Sequence, residues 1–326
     1  MALISEDNIK KFDKYYKSCT IKNPEMVNTT FKTYKSNFMQ FLCYLAVDHN
    51  NIDLYSEEFM ADAVDILESY IAFCQSTLKN NKKTINNKIS AVSSFYLWSL
   101  KRGLIPLHPF DKKLERMKYA ADEKIINSYF LTHEQIEKIK HELETNTKDF
   151  DIQDRILFEI AIDSANRIGS LERLTLSALD IDNMVFNNIR EKRAYYVEVV
   201  FEDKAKELIL EWLEMRKDGY DKLEVDSLLI TYHNNEYHPM KRNAIHWRMR
   251  KYGRIVGIED FHAHCTRKTR LNLVYEDSND LLLASELANH KSTQTTSDSY
   301  IRPRSKAELR DKINALKEKN QTQDVD

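Results

Sequence analysis

Apolar positions recur every three or four residues through the first third of the chain. Phe31, Tyr34, Phe38, Phe41, Leu42 and Leu45 lie on one stripe, the spacing of an amphipathic helix. A second run spans Phe59 to Leu78. A third begins near Thr84 and carries Ile85, Ile89, Val92, Phe95, Tyr96 and Leu100. It stops at Lys101-Arg-Gly103, a basic last turn followed by a glycine suited to the left-handed position after a helix. Met26 to Tyr119 therefore predicts a bundle of helices. Two prolines interrupt the period in Leu104-Ile-Pro-Leu-His-Pro-Phe110, and the charged stretch Asp111 to Lys124 predicts a linker.

Beyond the linker, Thr132 followed three residues later by Gln135 is a capping-box signature. It predicts a helix to about Leu143, with another from Ile152 to Ala165. After Asp180 the pattern becomes short and β-like, Asn183 to Ile189 and Tyr195 to Phe201, around the polar turn Arg190-Glu-Lys-Arg193. A helix returns from Lys204 to Lys217, and Leu228 to Tyr232 with Glu236 to His238 predicts a further strand pair. The fold class expected is mainly α, with a small β-hairpin or sheet in the second of two domains, residues 1–119 and 120–326.

Composition narrows this picture. With 31% charged residues and only 5 Gly and 5 Pro, the chain has few turn signals for a large β-sandwich or barrel, and its 42% hydrophobic content is too high for wholesale disorder. No apolar run approaches the roughly 18 to 20 residues that span a bilayer, and Met1 to Lys10 lacks a basic-then-apolar signal, so no membrane partner and a cytoplasmic location are expected. Cys19, Cys43, Cys74 and Cys265 form no C-x-x-C pair, which suggests neither a zinc site nor a disulfide framework.

The formal net charge of -2 argues weakly against a general polyanion binder, yet the charge is segregated. Between Lys241 and Arg270 nine Lys or Arg face two acids, a local charge of +7. A solvated helix face is the plain reading of such a run. His246, Trp247 and Tyr252 nonetheless place groups that can stack or hydrogen-bond beside a polyanion. Within the stretch, His264-Cys-Thr-Arg267 puts an imidazole and a guanidinium on one helical face. That pair suits a phosphodiester: the guanidinium fork holds two non-bridging oxygens, and the imidazole donates a hydrogen bond or moves a proton.

Four segments in order resemble the tyrosine recombinases, also called the phage integrase family. They are Asp163-Ser-Ala-Asn-Arg-Ile-Gly-Ser-Leu-Glu-Arg-Leu174, similar to the first-arginine segment; the hairpin with Lys192 in its turn; His264 to Thr269, similar to H-x-L-R-R-T; and Leu287-Ala-Asn-His-Lys-Ser-Thr-Gln-Thr-Thr-Ser-Asp-Ser-Tyr300, similar to L-G-H, T-T and a terminal nucleophilic tyrosine. Residues 26 to 119, ending in Pro109-Phe110, resemble the family's N-terminal core-binding domain. The resemblance implies that Arg167, His264, Arg267 and His290 surround a scissile phosphate. Tyr300 would attack it, and Lys192 would protonate the leaving 5′-oxygen. A tyrosine hydroxyl has a pKa near 10, so attack at neutral pH needs charge neutralisation at phosphorus and a proton acceptor. The 3′-phosphotyrosyl bond keeps the energy of the broken linkage, so no cofactor, metal or ATP is implied.

The resemblance also implies double-stranded DNA with a specific site as partner, gripped between the two domains. Lys79, Lys82, Lys83 and Lys88 would face phosphates from the first, and Lys241, Arg242, Arg248 and Lys251 from the second. The amphipathic segment 305–316, with Leu309, Ile313 and Leu316 in one stripe, would pack on its own core or join neighbouring protomers on DNA. Several positions depart from the family pattern. Ser164-Ala-Asn166 stands for T-G-L, Cys265-Thr266 for D-L and Ala288-Asn289 for L-G, while Ser170 occupies a place where an acidic residue is common. Taken as an ordinary surface group, Arg167 would pair with Glu172 on the next turn. Two activities stand: a site-specific recombinase, and a catalytically silent DNA-binding repressor on the same fold, as in recombinase-fold phage repressors of the SPβ prophage type.

Overall fold

In the computed structural model, residues 4–22, 24–118, 130–191, 195–220, 225–303, 305–311 and 313–314 are described. The chain divides into two compact units, Met1–Ile125 and Ile126–Asp326. Among the described residues no helix is long and apolar enough to cross a membrane.

The first unit is built from α1 (Glu6–Lys22), a short 3-10 and π segment over residues 24–31, α2 (Lys32–Asp48), α3 (Glu57–Ser76) and α4 (Lys82–Lys101). Ser56 and Asn81 start α3 and α4 by accepting hydrogen bonds from the backbone N–H groups of Phe59 and Thr84, which satisfies donors left open at a helix start. Gly103 ends α4 with φ +66, and its space is open, so the requirement there is conformational. The apolar stripes meet in an aromatic core of Phe12, Phe38, Phe41, Tyr70, Phe95 and Tyr96, with Phe12 stacked on Phe38 at 4.4 Å. Helix α1 lies ahead of the predicted bundle. Its buried residues are only Asn8, Phe12 and Tyr15, so its apolar period is thin. It is held by Asn8, whose side chain donates to the Ile52 carbonyl at 2.9 Å and accepts from the Leu54 N–H at 3.1 Å.

The second unit comprises α5 (His133–Thr145), α6 (Ile152–Asp163), α7 (Ile168–Leu171), β1 (Leu179–Asp180), β2 (Val185–Arg190), β3 (Tyr196–Val200), α8 (Asp203–Tyr220), β4 (Ile230–His233), β5 (Glu236–Pro239), α9 (Arg242–Ile255), α10 (Ala263–Ser278), α11 (Leu281–Leu287) and α12 (Thr293–Tyr300). The predicted capping box at Thr132 is formed in both directions, and Asp151 with Asp154 makes a second one ahead of α6. Helix α6 is buried on all faces and packs against α5, α8 and α10, which makes it the centre of this unit.

The expected hairpin is the β2–β3 pair, and β1 extends it to an antiparallel sheet in the order β1-β2-β3. A register shift between Phe186 and Ile189 lets both side chains reach the core although they are three residues apart. Strands β4 and β5 pair from Ile230↔Pro239 to His233↔Glu236.

Gly253 on α9 fixes where α10 begins. A Cβ there would lie 2.2 Å from both the Ile258 carbonyl oxygen and the Phe261 Cβ, so only glycine allows the incoming loop to cross so closely. We expect Gly253→Ala to destabilise the protein by about 2 kcal/mol through overpacking. The check is a shift in the denaturant midpoint of the second unit's unfolding; an unchanged midpoint would contradict this packing.

Candidate active site

Helix α10 carries the predicted histidine and arginine on one face, and burial decides their roles. The Arg267 side chain is wholly enclosed. Its Nη1 donates to the Ala165 carbonyl, and its Nη2 donates to the Ala288 carbonyl at 2.6 Å and to Nε2 of His290 at 3.0 Å. A buried guanidinium is tolerated only with such partners. Burial lowers its pKa, while the Tyr300 hydroxyl beside it works the other way and favours the charged form. The backbone bends to supply these acceptors. Ala165 and Asn289 have φ values of 50 and 52, and they occupy the two places where the resembled pattern carries glycine.

Tyr300, at the end of α12, is 6% exposed and packs with Ala165, Leu271 and Ala288. Its ring lies 5.1 Å from the Arg267 guanidinium carbon, 5.1 Å from the His264 ring and 4.8 Å from the His290 ring. Since Arg267 can only donate, Nε2 of His290 accepts, so Nδ1 carries the proton and donates to Thr296 Oγ1 at 2.8 Å. Desolvation, followed by the charges of Arg267 and Arg167, brings the His290 pKa down to about 4. For His264 desolvation is again the largest cause, ahead of Arg267, Lys268, His262 and Arg167, and its pKa also falls to about 4. Both imidazoles are therefore neutral at pH 7.

Arg167 precedes α7 and does not pair with Glu172. Its Nη1 donates to Oε2 of Glu191 at 2.7 Å, and Glu172 pairs instead with Arg242 at 2.9 Å. The other Glu191 oxygen accepts from the Ser170 hydroxyl at 2.7 Å. Glu191 and Thr296 were not singled out in the sequence. Lys192 lies outside the described residues.

The predicted DNA-facing residues divide. Lys79 and Lys83 are exposed, Lys82 is half-buried and Lys241 is exposed. Lys88 is a correction: it is 4% exposed and bonds to Gln40 inside the first unit, because its place on α4 falls on the buried face. Arg248 is a second correction. It lies largely buried between Asp151 at 2.8 Å and Asp154 at 2.6 Å, where it fastens α9 to the start of α6. Lys251 donates to the Asp149 carbonyl and sits over the Phe150 ring, and Arg242 is held by Glu172, so these two act first within the fold.

The lowered histidine pKa values have a defined sign. Unfolded histidine titrates near 6.5, so between pH 6.5 and 4 the folded state binds fewer protons than the unfolded one. Stability from the neutral rings is complete above pH 6.5 and is lost as pH falls towards about 4. Asp163, whose carboxyl burial raises to about 6, opposes this trend, so a difference measurement is required. We expect His290→Gln, which keeps an acceptor for Arg267, to show a smaller fall in melting temperature from pH 7 to pH 4 than the unaltered protein. Parallel profiles would contradict the assignment.

Comparison with known proteins agrees with this geometry. A family model described as the phage integrase family matches residues 129–306. Tyrosine recombinase XerC of Thermodesulfovibrio yellowstonii is 24% identical over 273 residues, covering 82% of this chain and 83% of that protein. XerC of Listeria welshimeri is 24% identical over 219 residues, 66% of this chain and 70% of the relative. Among solved structures, a lambda integrase dimer bound to a COC′ core site aligns with a TM-score of 0.64 at 16% identity, covering 91% of this chain and 96% of that one. XerH site-specific recombinase in a post-cleavage complex with palindromic difH substrate gives 0.62 at 18% identity, covering 82% and 74%. With more than half its length matched by the family model, and with Ala165, Ala288, His290 and Tyr300 gathered around Arg267, the chain belongs to the phage integrase family of tyrosine recombinases.

Proposed function

We propose that this protein is a site-specific recombinase that cuts and rejoins duplex DNA through a 3′-phosphotyrosyl link. The observation that carries this reading is the Tyr300 ring packed against the buried Arg267 guanidinium, with the His264 and His290 rings 5.1 and 4.8 Å from it. The scissile phosphate takes its charge balance from Arg267 and from Arg167, whose side chain is 41% exposed. As the Tyr300 oxygen bonds to phosphorus, the bond to the 5′-oxygen breaks and the phenol proton leaves. His264 is the acceptor in this scheme, because the lone pair of His290 is already engaged by Arg267. Lys192, the residue after Glu191, is assigned the return of a proton to the 5′-oxygen. Attack by a 5′-hydroxyl then reverses the chemistry, so rejoining needs no separate energy source.

Double-stranded DNA is the partner. Lys79, Lys82, Lys83 and Lys241 are assigned to phosphate contacts, which set affinity and its salt dependence. The chain acts as a homo-oligomer on DNA, in the cytoplasm. Leu309 and Ile313 support this assembly, because both are exposed in the single chain rather than packed on their own core.

The test uses a nicked duplex carrying a sequence selected by the protein, in which the cut fragment diffuses away and traps the intermediate. A protein–DNA adduct that survives denaturation is expected, and Tyr300→Phe should abolish it. Tight, specific binding without an adduct would contradict the reading and leave a DNA-binding repressor on the same fold.

A further inference from the structure

The Glu191 carboxylate faces Arg167 from the hairpin. Glu191 follows β2 directly, and its backbone N–H donates to the Tyr195 carbonyl at 2.6 Å. Its side chain is 9% exposed and spans two groups of the first-arginine segment, accepting from Arg167 Nη1 and from the Ser170 hydroxyl at 2.7 Å each. A carboxylate so enclosed is costly unless both oxygens are satisfied, and here both are. Ser170 brings no negative charge to Arg167; its hydroxyl donates to Glu191, so the charged partner of Arg167 is the hairpin carboxylate.

Arg167 has a long, flexible side chain that is 41% exposed, and nothing in α7 fixes its rotamer through an N-cap bond. One end of its planar guanidinium is pinned by Glu191 from a separate element, which leaves the rest of the fork directed by that anchor. Glu191 also counters the positive charges in the site: its charge acts on His290 and Arg267 in the sense opposite to Arg167.

We infer that Glu191 is the positioning residue for Arg167: it supplies from the hairpin the carboxylate that Ser170 does not supply from α7, and it locks the guanidinium in the orientation used at the phosphate. Its role is orientation, so it governs the rate of the covalent step more than the affinity for DNA. This rests on the recombinase reading.

The experiment compares single-turnover adduct formation at saturating protein with DNA affinity for Glu191→Gln, Glu191→Ala and the swap Glu191→Ala with Ser170→Glu. Glu191→Gln, nearly isosteric, should lower the rate of adduct formation about 10- to 100-fold, the usual cost of losing an orienting partner, with affinity changed less than the rate. The swap, which returns a carboxylate from α7, should recover most of the rate lost in Glu191→Ala. A full rate in Glu191→Gln, or a loss of rate that the swap does not relieve, would overturn the inference. Thermal unfolding in a double-mutant cycle of Glu191→Gln with Arg167→Gln gives an independent readout. Coupled effects on stability support the pairing, and strictly additive effects overturn it. If the unaltered protein forms no adduct, the recombinase reading fails, while the cycle still decides whether Glu191 holds Arg167.

Discussion

The site depends on one buried charge. Arg267 sits wholly inside the second unit, where an unpaired guanidinium would be strongly unfavourable. Its two terminal nitrogens donate to the Ala165 carbonyl between α6 and α7, the Ala288 carbonyl after α11, and the ring nitrogen of His290. These acceptors belong to two stretches of chain remote from α10, residue 165 and residues 288–290, so solvating the guanidinium internally forces both against that helix. Tyr300 then closes over the same group, and Arg267 sets the tautomer of His290, whose Nδ1 donates to Thr296. Arg267 is thus the fastener of the last helices.

Much of this was legible in the sequence. The capping box at Thr132, the Gly103 stop and the hairpin follow from local chemistry, where the signal and its cause lie within a few residues. The third strand, β1, is only two residues long and is defined by pairing rather than by pattern. Helix α1 escaped because its anchor is the polar Asn8 bonded to residues more than forty positions away. The same limit explains the basic residues. Charge density marks a region, but Arg248 finds Asp151 across 97 residues and Lys88 finds Gln40 across 48, and no local pattern shows that such partners exist.

The site shows this division more sharply. Arg167, His264, Arg267, His290 and Tyr300 were identified through motif order, and the fold brings them to one place. Glu191 was read only as part of a charged turn, since its bond to Arg167 depends on how the hairpin folds over α7. The departures Ala165 and Asn289 looked like drift, yet both keep the left-handed backbone that glycine would adopt freely. Asparagine tolerates that conformation well and alanine less so. A left-handed backbone is therefore formed at both positions although neither residue is glycine.

The measurement that tests the central claim most directly is hydrogen exchange of backbone amides in α11 and α12 for the unaltered protein and for Arg267→Lys, which keeps the charge but removes the fork. If Arg267 fastens these helices, exchange across residues 281–300 should accelerate in the variant while α6 keeps its protection. Unchanged protection in α11 and α12 would contradict the account, because it would mean that the last helices are held without the buried guanidinium.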